Sequence, residues 1–136
     1  MESKVIDSAR FEVKLGSYAV GPANALTDSA ALVAAQDYRR AAGARMIPLG
    51  KDDISAKVPS AEYHVSRKVD GEFTVLNFRD GEVFSINPGG TVRVGLAWQE
   101  EAAKLLSDAG IKSALIAGEL FIHQGCHERG AGGAGH

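Results

Sequence analysis

Three short stretches of this chain carry side chains that can do chemistry. Lys68-Val69-Asp70-Gly71 sets an amine two residues before a carboxylate, and Asn87-Pro88-Gly89-Gly90 is a glycine-rich turn with Arg93 just beyond it. Ala117-Gly118-Glu119-Leu120-Phe121 closes an apolar run with a carboxylate inside it. A lysine attacks phosphorus only when neutral, so a nucleophilic Lys68 needs desolvation or nearby positive charge to lower its pKa. Glu119, between Gly118 and Leu120, must be paired, exposed on one face or bound to something, because a buried carboxylate without a partner is costly. Glycine-rich loops expose backbone N–H groups to phosphates, although this one matches neither a P-loop nor a dinucleotide fingerprint. Each stretch also has a plainer reading: a solvated lysine entering an Asp-Gly turn, a loop, and a strand whose Phe121 is core.

These residues need a scaffold, and its outline follows from periodicity and turn chemistry. Phe11 to Leu15 alternates as a short strand bounded by Gly16 and by Gly21-Pro22. Ala31, Leu32, Ala35, Tyr38 and Ala42 recur at helical spacing, with Thr27 or Asp28 as cap and Gly43 as stop. Met46 to Pro59 reads as an extended polar connector. Strands follow over Glu62 to Lys68, Glu72 to Phe78 and Glu82 to Ile86, joined by turns at Asp70-Gly71 and Asp80-Gly81. In that first strand His64, Ser66 and Lys68 share one face, and Arg67 points to the other. A short strand over Thr91 to Val94 is next. Trp98 to Ala109 is an amphipathic helix showing Trp98, Ala102, Leu105 and Leu106 on one face, with Gly110 as stop. Ser113 to Ile122 reads as a buried strand, and beyond Gln124 the composition turns to Gly, Ala and His, which cannot build a core. The expected fold class is α+β, an antiparallel sheet with flanking helices. The segments are 1–45, a strand and a helix; 46–122, the sheet-rich part; and 123–136, a disordered tail.

With 136 residues, the chain suits one domain. Apolar residues at 45% and charged residues at 24% are ordinary globular values, and a net charge of -2 argues against a broadly basic nucleic-acid surface. One cysteine leaves no internal disulfide, which makes a reducing cytoplasm the default. No apolar run approaches a membrane span, and Met1 to Asp7 lacks the apolar core of a signal peptide. His123, Cys126, His127 and His136 are metal-ligand types at a spacing that fits no standard zinc pattern.

In their order along the chain, K-x-D-G, the small-residue turn and the late G-E-L resemble the covalent nucleotidyltransferases: ATP-dependent DNA ligases, RNA ligases and mRNA capping enzymes. The resemblance covers residues 46–122 and is nearest to the adenylation domain of DNA ligases, whose Pro-containing entry is similar to Met46-Ile47-Pro48-Leu49. It implies an N-terminal portion of an ATP-grasp-like ligase nucleotidyltransferase domain. It also implies ATP and Mg²⁺ as cofactors and nicked DNA as partner, RNA being second. In that reading Lys68 becomes the catalytic lysyl-AMP carrier, while Ser66, Asp70, Gly71, Arg93 and Glu119 bind the nucleotide and Glu119 contacts the ribose. The chain departs from the family in three places. Phe73 stands where an arginine usually follows the lysine motif, Asn87 stands at the arginine place of the turn with Arg93 as substitute, and Ala117 replaces the usual acidic residue. A family member also needs later motifs and an oligonucleotide-binding domain beyond the matched region. Two other classes remain open: a nucleotide-binding module that forms no adduct, and an interaction domain in which K-x-D-G is a hairpin turn. An open sheet ending at such a strand is expected to self-associate through its free edge.

Overall fold

The computed structural model describes residues 5–14, 16–58 and 60–122. Its frame is one antiparallel sheet of six strands: β1 (Glu12–Lys14), β2 (Tyr18–Pro22), β3 (Glu72–Arg79), β4 (Glu82–Ile86), β5 (Thr91–Val94) and β6 (Ser113–Leu120). Their order across the sheet is β1-β2-β5-β4-β3-β6. The segment before residue 46 therefore adds two strands beside β5, and β6 returns to the far side of β3. The expected α+β class, an antiparallel sheet with flanking helices, is the one observed.

Local chemistry explains the two tight connections. Asp80 and Gly81 both take positive φ, 50° and 87°, which is the backbone that a two-residue hairpin between right-twisted strands demands. Between β4 and β5, the Gly90 N–H donates to the Asn87 carbonyl at 3.0 Å, and the Asn87 side chain accepts from the Thr91 N–H at 2.8 Å.

The sheet has two unlike faces because side chains alternate along each strand. On one face, Val75, Phe84, Ile86 and Val92 pack with Leu26 and with Ala35 of helix α1 (Ala30–Arg45) to form the core. Tyr38 and Arg39 of α1 both lie on Phe73, with ring centroids 6.2 Å apart and the guanidinium 5.7 Å from the ring centre. On the other face lies helix α3 (Ala97–Asp108), which buries Gln99 and Ala103 against β4. A short helix α2 (Ile54–Lys57) follows a 3₁₀ turn at Lys51–Asp53, where the sequence suggested extended chain.

Several expectations are corrected, each for a physical reason. Residues 62–68 form no strand: β4 and β6 occupy both edges of β3, so no edge is left for a second hairpin. Lys68 is therefore not on a sheet face, and the shared face of His64, Ser66 and Lys68 does not exist. Gly43 does not stop α1; its φ is not positive, and the helix runs to Arg45. Gly21 and Pro22, expected to bound the strand over Phe11 to Leu15, belong to a second strand, β2, and a Cβ at Gly21 would come within 3.0 Å of the Phe11 ring. On α3 the buried side is Gln99 and Ala103, while Leu105 is 62% exposed. β6 is an edge strand paired on one side only among the described residues, so Leu115 and Ile116 are about half exposed and not buried. Leu15, Pro59 and the stretch 123–136, with its His and Cys residues, lie outside the described residues.

Candidate functional site

The register of β3 against β6 builds the site. Glu72 lies opposite Leu120 and Phe73 opposite Glu119, so the segment leading into β3 passes the outgoing end of β6. Gly71 marks the closest approach. A Cβ there would sit 2.9 Å from the Leu120 carbonyl carbon and closer still to its oxygen. Gly71 has no positive φ, so the requirement for glycine is a backbone contact and not the turn geometry expected of Asp-Gly.

Lys68 and Asp70 face one another across Val69 as an ion pair, with side chains 85% and 90% exposed. The hydrogen bond from Lys68 holds the Asp70 carboxyl below its ordinary pKa. In return the hydrogen bond to Asp70 raises the Lys68 ammonium above its ordinary value, Asp70's charge adds to this, and the charge of Glu119 pushes the same way. Four residues of the expected set, Lys68, Asp70, Gly71 and Glu119, are thus brought together. In this geometry the lysine is held charged, the opposite of what attack on phosphorus requires.

Two expected site residues sit elsewhere. Ser66 is exposed in the irregular segment before Lys68 and makes none of the contacts that join the other four. Arg93 lies in β5 and is engaged by Glu72, its two guanidinium nitrogens 2.5 and 3.4 Å from the two carboxylate oxygens. Phe121 is 52% exposed and not core. Phe73, at the family's arginine position, is packed under Tyr38 and Arg39 of α1.

Sequence reading missed Glu72 and Gln99. The Gln99 side chain is fully buried, donates to the Ser85 hydroxyl and the Arg93 carbonyl at 2.9 Å each, and accepts from the Leu96 N–H at 3.1 Å. A polar residue inside an apolar helix face was the one available signal. Glu72 gave none, since a carboxylate opening a strand usually faces water. Beside these residues lies an apolar cleft of about 410 Å³ whose lining includes Leu76, Trp98, Ala102, Ile116, Glu119 and Phe121.

No protein-family model, curated protein or solved structure matches this chain. Among the described residues, no helix is long and apolar enough to cross a membrane.

The Glu72–Arg93 pair also makes a prediction about pH. The Arg93 hydrogen bond holds the Glu72 carboxyl below its usual pKa, with Arg93's charge and a bond from Asn87 assisting against partial burial. A depressed folded-state pKa contributes stability that is present above the unfolded value, about 4.3 for a glutamate, and lost as pH falls through the folded value. Urea unfolding at stepped pH is expected to show the wild type losing stability below about pH 4.5 more steeply than Glu72→Gln. Parallel curves would remove the pair from the account.

Proposed function

We propose that this chain is the adenylation-domain portion of an ATP-dependent polynucleotide ligase, with DNA favoured over RNA as substrate. One observation supports the reading above the others. The K-x-D-G and G-E-L stretches, distant in sequence, meet where β3 begins and β6 ends, with Gly71 against the Leu120 carbonyl and the charge of Glu119 acting on Lys68. A lysine, an adjacent carboxylate and a second carboxylate at one strand junction suit a nucleophile site beside a ribose-binding group.

In the proposed first step, the neutral Lys68 Nζ attacks the α-phosphorus of ATP and a P–N bond forms. The α–β P–O bond breaks, pyrophosphate leaves, and the amine proton passes to solvent. A 5′-phosphate oxygen at a nick then attacks the AMP phosphorus, the P–N bond breaks and the lysine amine is released. The 3′-hydroxyl attacks that 5′-phosphate, a phosphodiester forms, the hydroxyl proton passes to solvent and AMP leaves. Glu119 accepts from the ribose hydroxyls, while Asp70 and Gly71 shape the lysine segment. Among the described residues no three His, Cys, Asp or Glu side chains are grouped to hold a metal. In this reading Mg²⁺ would arrive with the triphosphate and would supply charge neutralisation to it. For attack to occur the Lys68–Asp70 pair must separate as nucleotide arrives, because the ammonium has no lone pair to offer.

That same ion pair favours a second reading, a nucleotide-binding module that forms no adduct. Intact mass after incubation with ATP and Mg²⁺ separates the two. Wild-type protein is expected to gain one AMP, lose it to added pyrophosphate, and lose the reaction altogether in Lys68→Ala. A folded wild type that binds ATP but gains no mass leaves the module reading. An adduct that survives Lys68→Ala places the nucleophile elsewhere.

A further inference from the structure

We propose that Glu72 and Arg93 form a positioning pair for the lysine-bearing segment. Their ion pair fixes the first residue of β3, and with it the direction in which Gly71, Asp70 and Lys68 leave the sheet. The proposal rests on the nucleotidyl-transfer reading of this site, to which it adds Glu72 and a different role for Arg93.

Residues 60–71 take part in no strand, so the path of Lys68 depends on the last anchored residue before the chain becomes irregular. That residue is Glu72. Its backbone is in register with Leu120 of β6, and its carboxylate reaches past β4 to Arg93 of β5. Asn87, in the β4–β5 turn, also favours the charged form of that carboxylate. Arg93 is in turn fixed from behind: its carbonyl accepts from Gln99, which is fully buried and also bound to Ser85 and to the Leu96 N–H. Gln99 thus fixes the Arg93 backbone, and the planar guanidinium it carries, 21% exposed, suits a carboxylate.

On the opposite side, Gly71 lies against the Leu120 carbonyl with no room for a side chain. The lysine segment therefore leaves the sheet between two fixed points. Catalytic groups gain their effect from being held in productive geometry, and supporting contacts of this kind supply the holding. A phosphate-binding role for Arg93 fits less well. A phosphate would have to displace Glu72 and leave a half-buried carboxylate without its charged partner.

The test uses the full chain as Glu72→Gln, Arg93→Gln, the double variant, and the charge-reversed double Glu72→Arg with Arg93→Glu. Lys68 adduct formation is followed by intact mass over a series of ATP concentrations, and amide exchange is followed at residues 69–73. Each single variant is expected to lower the maximal adduct rate about tenfold or more, with half-saturating ATP changed less than about twofold. The double variant is expected to be no slower than the slower single, because both remove one interaction, and the charge-reversed pair to regain part of the rate. Arg93→Gln that raises half-saturating ATP, beside a Glu72→Gln that leaves the rate intact, overturns the proposal and makes Arg93 a phosphate contact. If wild type forms no adduct, the nucleotidyl-transfer reading fails by itself and amide exchange decides the pair. Faster exchange at Asp70 to Phe73 in both single variants upholds positioning, and unchanged exchange overturns it.

Discussion

Gly71→Ala is expected to destabilise the protein by about 1–3 kcal/mol, the range for forcing atoms into a packed site, and to open the junction of β3 with β6. The added methyl would overlap the Leu120 carbonyl. Backbone cannot rotate aside as a side chain does, so one strand end must move. An opposing effect exists: alanine restricts the unfolded chain and, at a residue without positive φ, stabilises by about 0.4–1 kcal/mol. The clash is larger, so the net sign is destabilising. Gly118→Ala, in β6 opposite Thr74, is the control, since a Cβ there meets nothing within 4 Å. Urea midpoints at constant slope measure both. Gly71→Ala is expected to fall well below wild type with faster exchange at Glu72 to Thr74, and Gly118→Ala to lie within about 0.5 kcal/mol of wild type. Equal midpoints for the two variants would mean that the contact at Leu120 gives way freely. It would then be no anchor for the lysine segment.

The parts of this molecule that were legible in its sequence are those set by neighbouring residues. Asp80-Gly81 needs positive φ at both positions, and Asn87 to Gly90 closes on its own Asn side chain, so β4 and β5 begin and end where expected. Partner choice is different, because alternation specifies an extended backbone but not the strand beside it. Residues 62–68 alternate as a strand does, and they stay irregular because β6, far along the chain, takes the edge of β3 that they would have used. The same competition decided the site. The order of the K-x-D-G and G-E-L stretches is readable, but their meeting depends on the Phe73–Glu119 register. The charge state of Lys68 also escaped local reading. Asp70, two residues away, reads locally as half of an Asp-Gly turn, and it pairs instead with the amine. Arg93 reads in the sequence as a nucleotide-binding substitute for the turn arginine, and its engagement by Glu72 needed three strands in place.

Gln99 carries the second large effect, and its removal tests how α3 is joined to the sheet. The Gln99→Leu variant keeps side-chain volume nearly constant and deletes three hydrogen bonds at once. The Ser85 hydroxyl, the Arg93 carbonyl and the Leu96 N–H each lose a partner, and Ser85 is fully buried. A buried polar group left unpaired costs about 1–3 kcal/mol, whereas gaining one apolar side chain in the same space returns about 1.5–3 kcal/mol. With up to three groups affected against one gain, the expected net loss is on the order of 2–4 kcal/mol, read as a lowered urea midpoint. The Gln99→Glu variant separates the contributions. Its carboxylate can still accept from Leu96, but it cannot donate to Ser85 or to the Arg93 carbonyl while ionised. Burial favours its neutral form, and a protonated carboxyl can donate once, so its deficit should be largest near neutral pH and shrink on acidification. A Gln99→Leu protein as stable as wild type would show that α3 docks on β4 by apolar contact alone. The Gln99 bond to the Arg93 carbonyl would then add nothing measurable to the hold on β5.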